Sequence, residues 1–224
     1  MAVYTKISNR DLFYIENKFG LKIISFKGIK NGIENTNYLI KTKSNKYILT
    51  IFEKRVKKKD LPFFMELMDK LNTYKINCPK PLKNKNGKYL ITIKKKSACI
   101  VTFIKGNDKK NLTIRDCYSI GKSIAKLHKA SKKIKLFRKN LFSGNKLGPL
   151  LNSISFKSKK ISPKLKITLQ QSLKNIKKEW PKNLPSGIIH GDLFLDNIFF
   201  KKNKFAGFID FYFSCTDYLM YEIA

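Results

Sequence analysis

Between Ile188 and Phe200 the sequence reads IIHGDLFLDNIFF, which sets His190, Asp192, Asp196 and Asn197 among large apolar residues. A charge inside an apolar run must be paired, solvated in a cleft or bound to a metal. Asp192 follows the apolar segment GIIHG, and a second carboxylate, Asp210, closes the segment GFID. If both segments are strand-like, the two acids emerge at the ends of neighbouring elements. Asn197 lies on the same loop as Asp192. A carboxylate, an amide and a second carboxylate form a hard-oxygen site for Mg²⁺ with a general base beside it.

The same order of residues occurs in the catalytic loop H-R-D-x-x-x-x-N of protein kinases, followed by D-F-G. In that scheme the first Asp receives a hydroxyl proton, while the Asn and the later Asp hold metal ions. HGDLFLDN reproduces the spacing with Gly191 in place of Arg, and IDF supplies Asp210 and Phe211. Either motif alone is a weak signal, and the two in this order are a strong one. His190 reads as a structural brace of the loop rather than a proton carrier. Asp196 reads as a turn carboxylate facing solvent, and His128 as a packing residue of a helix.

The elements that must carry these loops follow from hydrophobic periodicity. Strands are expected at Leu21–Phe26, Tyr38–Thr42, Lys46–Phe52, Tyr89–Lys94 and Ala98–Ile104. A helix opens at Asp60, a candidate N-cap, with Phe63, Phe64, Leu67, Met68 and Leu71 on one face. Phe103–Asn111 reads as a linker. Beyond it lie a helix capped by Thr113 with Asp116, and a second amphipathic helix over Leu165–Trp180. Short apolar segments at Ile188–Phe200 and Phe205–Phe213 flank the turn KKNK. The ending TDYLMYEIA reads as the opening of another helix, and so suggests that part of a larger fold is missing. The expected architecture is α+β in two lobes. Residues 1–104 form a five-stranded antiparallel sheet with one helix, and residues 105–224 form a mostly helical, incomplete lobe carrying both loops.

A hydrophobic fraction of 42% places the chain among globular proteins. The net charge of +33 is nearly all Lys, since Arg occurs only at Arg10, Arg55, Arg115 and Arg138. Arg is the better reader of phosphates and bases. Its scarcity, and the plentiful Lys, Ile, Asn and Phe, point to compositional bias rather than to a specific nucleic-acid surface. The cysteines at 78, 99, 117 and 215 form no CxxC pair, which argues against zinc and against a disulfide framework. No apolar run approaches a membrane span and no signal peptide opens the chain, so a cytoplasmic protein is expected.

HGDLFLDNIFF followed by FAGFIDFYFS resembles the aminoglycoside phosphotransferase and choline kinase superfamily, whose fold is like that of protein kinases. GIENTNY, LTIFEKRV, DLPFFMELMDKL, INCPKP and IDFYFSCTDYLMYEIA narrow the likeness to the bacterial type II homoserine kinases, over almost the whole chain. The resemblance implies ATP and Mg²⁺ as cofactors and L-homoserine as the small-molecule partner, in threonine biosynthesis. It implies Asp192 as the catalytic base and Asn197 and Asp210 as metal ligands. It further implies Gly32, Asn35 and Asn37 in a phosphate-covering turn, and Thr102 and Ile104 beside adenine. Thr50 stands where kinase-like folds usually carry a phosphate-gripping Lys, and Lys41 or Lys46 is a candidate substitute. Glu66 falls where the partner of that Lys would be. Two alternatives stay open: a related kinase acting on choline, an aminoglycoside or a methylthio-sugar, and an inactive fragment that binds nucleotide or nucleic acid. The sequence sets no oligomeric state.

Overall fold

The computed structural model describes residues 3–30, 34–153 and 162–223. Helix α1 (Asn9–Phe19) leads into a sheet of β1 (Ser25–Gly28), β2 (Thr36–Lys41), β3 (Lys46–Ile51), β4 (Leu90–Ile93) and β5 (Lys96–Thr102), with α2 (Leu61–Thr73) inserted after β3. The sheet is antiparallel throughout, in the order β1-β2-β3-β5-β4. The five strands and the inserted helix follow the expectation, but the lobe carries two helices rather than one. The signal for α1 was present. Ser8 and Asp11 form a reciprocal capping box, and Gly20 closes the helix in the left-handed conformation. Ile15 of α1 is fully buried against one face of the sheet, with Ile40, Leu49, Ile51 and Ile100.

The opposite face of the sheet belongs to the larger core, which runs from Phe64, Met65 and Leu67 of α2 through Cys99 and Val101. It continues into α3 (Ile114–Ser131) and the short strands that carry the apolar loops. Thr113 and Asp116 cap α3 reciprocally, as their spacing requires. Helices α4 (Gly144–Ser153) and α5 (Pro163–Glu179) pack on each other. Propensity hides α4, because its sequence holds two Gly and Pro149.

Four strands then frame the site: β6 (Ser186–Ile189), β7 (Ile198–Lys201), β8 (Lys204–Phe208) and β9 (Cys215–Tyr218). β7 and β8 form a hairpin through Lys202 and Asn203, both at positive φ, the conformation a two-residue hairpin turn needs. β6 pairs with β9, so TDY is strand where a helix opening was expected. Thr216 opposes Ile188 and Tyr218 opposes Ser186, and the partner strand outweighs the local helical pattern. A single 3₁₀ turn, Leu219–Glu222, follows. No described helix is long and apolar enough to cross a membrane.

Two contacts lock the sheet end of the molecule to the strands of the site. Asn107 exchanges backbone hydrogen bonds with Phe200 of β7 at 3.0 and 2.8 Å. Gly106 is required there, since a Cβ on it would stand 2.6 Å from the Phe200 carbonyl oxygen. Asp60, expected as the N-cap of α2, makes no capping hydrogen bond. It accepts instead from Arg138 Nε at 3.0 Å. Arg138 also donates to the Ser214 carbonyl at 3.0 Å and lies over the Phe64 ring at 4.9 Å. One guanidinium thus ties the start of α2 to the loop before β9. Replacing it with an apolar residue of similar length leaves Asp60 and the Ser214 carbonyl without that donor. Arg138→Met should therefore lower unfolding stability by about 2–3 kcal/mol in urea denaturation.

Candidate active site

Each chemical loop begins and ends on a paired strand. Residues 190–197 span β6 to β7, and residues 209–214 span β8 to β9. The loops are joined by His190, which is fully buried and whose Nε2 lies 2.7 Å from the Ile209 carbonyl oxygen. A carbonyl only accepts, so Nε2 carries the proton. Burial holds the imidazole pKa down to about 4, and the ring is neutral at pH 7. It packs at 4.5 Å from the Phe211 ring.

Gly191 adopts φ 78, and a Cβ there would lie 2.9 Å from the Phe213 carbonyl oxygen. An Arg at this position, as in the protein-kinase motif, would be strained in this loop. The backbone N–H groups of His190 and Gly191 both donate to Glu222, the former at 2.5 Å to Oε2. Sequence reasoning missed Glu222. Its carboxyl is pushed up to about 7, chiefly by burial.

Asp192, Asn197 and Asp210 meet at one open cavity of about 870 Å³. Asn197 is buried and donates from Nδ2 to the Asp192 carbonyl at 2.8 Å and to Asp192 Oδ2 at 3.2 Å. Its donor end is thereby committed to Asp192, leaving Oδ1 as the end a cation could use. Asp210 stands at φ 62, ψ 61, a left-handed conformation uncommon outside Gly and Asn. Its side chain lines the cavity. Burial, and then the Asp192 charge, push its pKa up to about 6. Burial also raises Asp192. Excess negative charge in a cleft is what a divalent cation would neutralise. Among the described residues no group of three or more His, Cys, Asp or Glu side chains could hold a metal. The Asp210 carboxylate and the Asn197 amide oxygen are hard donors, which suit Mg²⁺ completed by substrate oxygens and not zinc.

Other expected residues are placed unequally. Asn35 and Asn37 line the same cavity, and the buried Oδ1 of Asn35 has no hydrogen-bond partner. Thr50 is buried behind Asn37 and donates to its Oδ1 at 2.8 Å, so it serves the cavity through Asn37. Gly32 lies outside the described residues. Thr102 and Ile104 are not among the residues lining this cavity, and the Thr102 amide is used by the Lys80 carbonyl at 2.9 Å. Lys41 and Lys46, the suggested phosphate partners, line a separate groove at the β2–β3 turn, the end of those strands away from Asn37 and Thr50. Neither can take the place of a strand Lys at Thr50. The cations lining the main cavity are Arg55, Lys109 and Lys110. Lys109 is held by Asp116 at 3.0 Å. Arg55 pairs with Glu34 and lies over the Phe213 ring at 4.7 Å. Glu66 is on the exposed face of α2.

The sequence profile of the phosphotransferase enzyme family matches residues 25–224. A homoserine kinase of Paramagnetospirillum magneticum is 42% identical over 100% of this chain and 71% of its own length. A homoserine kinase of Parvibaculum lavamentivorans is 39% identical over 100% of this chain and 70% of its own. Among solved structures, an amicoumacin kinase in complex with AMP-PNP and Ca²⁺ superposes with a TM-score of 0.77 at 16% identity. It matches 97% of this chain and 67% of that one. A spectinomycin phosphotransferase gives 0.71 at 14% identity, over 98% and 73% of the two chains. At such identities these two structures speak for the protein-kinase-like fold alone. The chain spans about 70% of the length of the curated relatives it matches, and it belongs to the phosphotransferase enzyme family.

Proposed function

We propose that this chain is a homoserine kinase, transferring the γ-phosphoryl group of ATP to the side-chain hydroxyl of L-homoserine. The observation that carries the reading is the convergence of Asp192, Asn197 and Asp210 on one cavity, in a chain 37–42% identical to homoserine kinases over its full length. The hydroxyl oxygen forms a bond to the γ-phosphorus as the bond to the β,γ-bridging oxygen breaks. The hydroxyl proton passes to Asp192, and ADP leaves.

Asp192 is the base because Asn197 fixes its orientation through Oδ2. Raised by burial, its carboxylate accepts a proton more readily than an ordinary Asp. In this reading Asp210 and the Asn197 Oδ1 would hold Mg²⁺, which would supply charge neutralisation on the phosphate oxygens. Asn35 and Asn37, with the preceding turn, cover the phosphates, and adenine lies toward the 102–104 connection. The division of labour places the nucleotide lobe in residues 1–104 and the loops in 105–224. The site is cytoplasmic, its acceptor is a small molecule, and no specific nucleic acid takes part.

Asp192→Asn keeps the shape and removes the proton acceptor. It should lower homoserine-dependent ADP release by about 10²- to 10⁴-fold while nucleotide affinity stays within about twofold. Turnover like that of the unsubstituted chain would remove Asp192 from the role. An ADP-release panel of homoserine, choline, an aminoglycoside and a methylthio-sugar separates the acceptors.

Asp210 supplies a test independent of turnover. Its pKa in the fold, about 6, lies above the ordinary 3.8, so ionisation is disfavoured in the folded protein. That cost to stability begins as pH rises through 3.8 and is complete above about 6. Asp210→Asn should therefore raise the metal-free melting temperature at about pH 7.5, with the gain vanishing below about pH 4. The same variant should lose the stabilisation that Mg²⁺ with a nucleotide gives the unsubstituted chain. For that chain, calorimetric affinity for Mg²⁺ with nucleotide should fall as pH drops through about 6.

A further inference from the structure

The phosphoryl-transfer scheme gives work to the carboxylates and the amides of the cavity, but none to Glu34 and Arg55. Glu34 sits just before β2, and Arg55 lies in the loop after β3. The two side chains form an ion pair, with Arg55 about half exposed at 54%. Both line the main cavity with Asp192. Both also line a smaller adjoining cavity of about 70 Å³, shared with Arg138, Asn140, Phe142 and Phe213.

We propose that Arg55 and Glu34 are the head-group site for an α-amino-acid acceptor, Arg55 binding the carboxylate and Glu34 the ammonium. This deepens the homoserine kinase reading and rests on it, because that reading is what specifies a zwitterion. A zwitterion needs one cation and one anion side by side, within a small molecule's length of the group that takes the hydroxyl proton. The wall shared by the two cavities provides this next to Asp192. The Arg55 guanidinium lies over the Phe213 ring, which supports its plane and leaves its edge donors for a bidentate carboxylate. Without substrate, Glu34 and Arg55 satisfy each other. With Arg55 half exposed, the pair is screened by water on that side, so exchanging it for two pairs with the substrate costs little. The neighbouring Glu53 is differently employed. It accepts from Thr5, Thr36 and Lys96, and so fastens the N-terminal segment to the sheet.

The pair also predicts which analogues fail. 4-Hydroxybutyrate keeps the hydroxyl and carboxylate and lacks the ammonium, while 3-aminopropan-1-ol lacks the carboxylate. The unsubstituted chain should prefer homoserine to both. Arg55→Gln should raise the KM for homoserine by at least about tenfold and shrink its advantage over 3-aminopropan-1-ol. Glu34→Gln should do the same relative to 4-hydroxybutyrate. Arg55→Lys, which keeps the charge without the fork, should fall between. The KM for MgATP should stay within about twofold in all three.

Calorimetric titration of homoserine into each protein, with a non-hydrolysable ATP analogue bound, reads the same loss without turnover. If the KM for MgATP rises and that for homoserine does not, Arg55 is a phosphate contact and the proposal falls. If homoserine is phosphorylated with unchanged KM in Arg55→Gln and Glu34→Gln, the proposal falls and the homoserine kinase reading stands. If the unsubstituted chain neither binds nor phosphorylates homoserine while phosphorylating an alcohol with no amino-acid head group, both fall.

Discussion

The bond from His190 Nε2 to the Ile209 carbonyl is the constraint on which the site depends. β6 pairs with β9 and β7 with β8, which ties the two loops together at their ends, but β6 and β8 do not pair with each other. The imidazole spans that gap. It does so as a neutral ring, because complete burial disfavours its charged form. A cation at this point would have attracted the neighbouring carboxylates and spoiled the charge excess that a divalent metal requires. Glu222 complements it by accepting the His190 and Gly191 amides, which emerge from the end of β6 with no ladder partner. Mutual repulsion between Asp192 and Asp210 is thus opposed by the backbone that carries them, with no salt bridge between the acids and a cation needed to do it.

Much of this was legible in the sequence, and for identifiable reasons. HGDLFLDN and IDF place chemistry at fixed spacing, and a hairpin between them forces their strands together. The capping box at Thr113 and Asp116 is a local signal, readable without tertiary structure. What was not legible depended on partners distant in the chain. The strand at Cys215–Tyr218 exists because β6 is available to pair with it, and its own sequence reads as helix. Asp60 looked like a cap and is a tether, because Arg138 lies far along the chain. Glu222 was read only as part of the opening of another helix. Its partners are backbone amides, which leave no trace in residue types. Lys41 and Lys46 looked close to the site along the chain. The sheet register puts them at the far end of their strands.

The place of Thr50 shows how the charge of this site is distributed. A Lys at that point would stand inside the sheet face next to Asn37 and Cys99, where burial is complete. Thr50 spends its hydroxyl on Asn37 instead, so the strand contributes position and no charge. The positive charge available to the cavity comes from segments beside the sheet: Arg55 after β3, and Lys109 and Lys110 before α3. Arg55 and Lys110 are exposed and keep their water, which avoids the cost of a buried charge, and Lys109 is paired with Asp116.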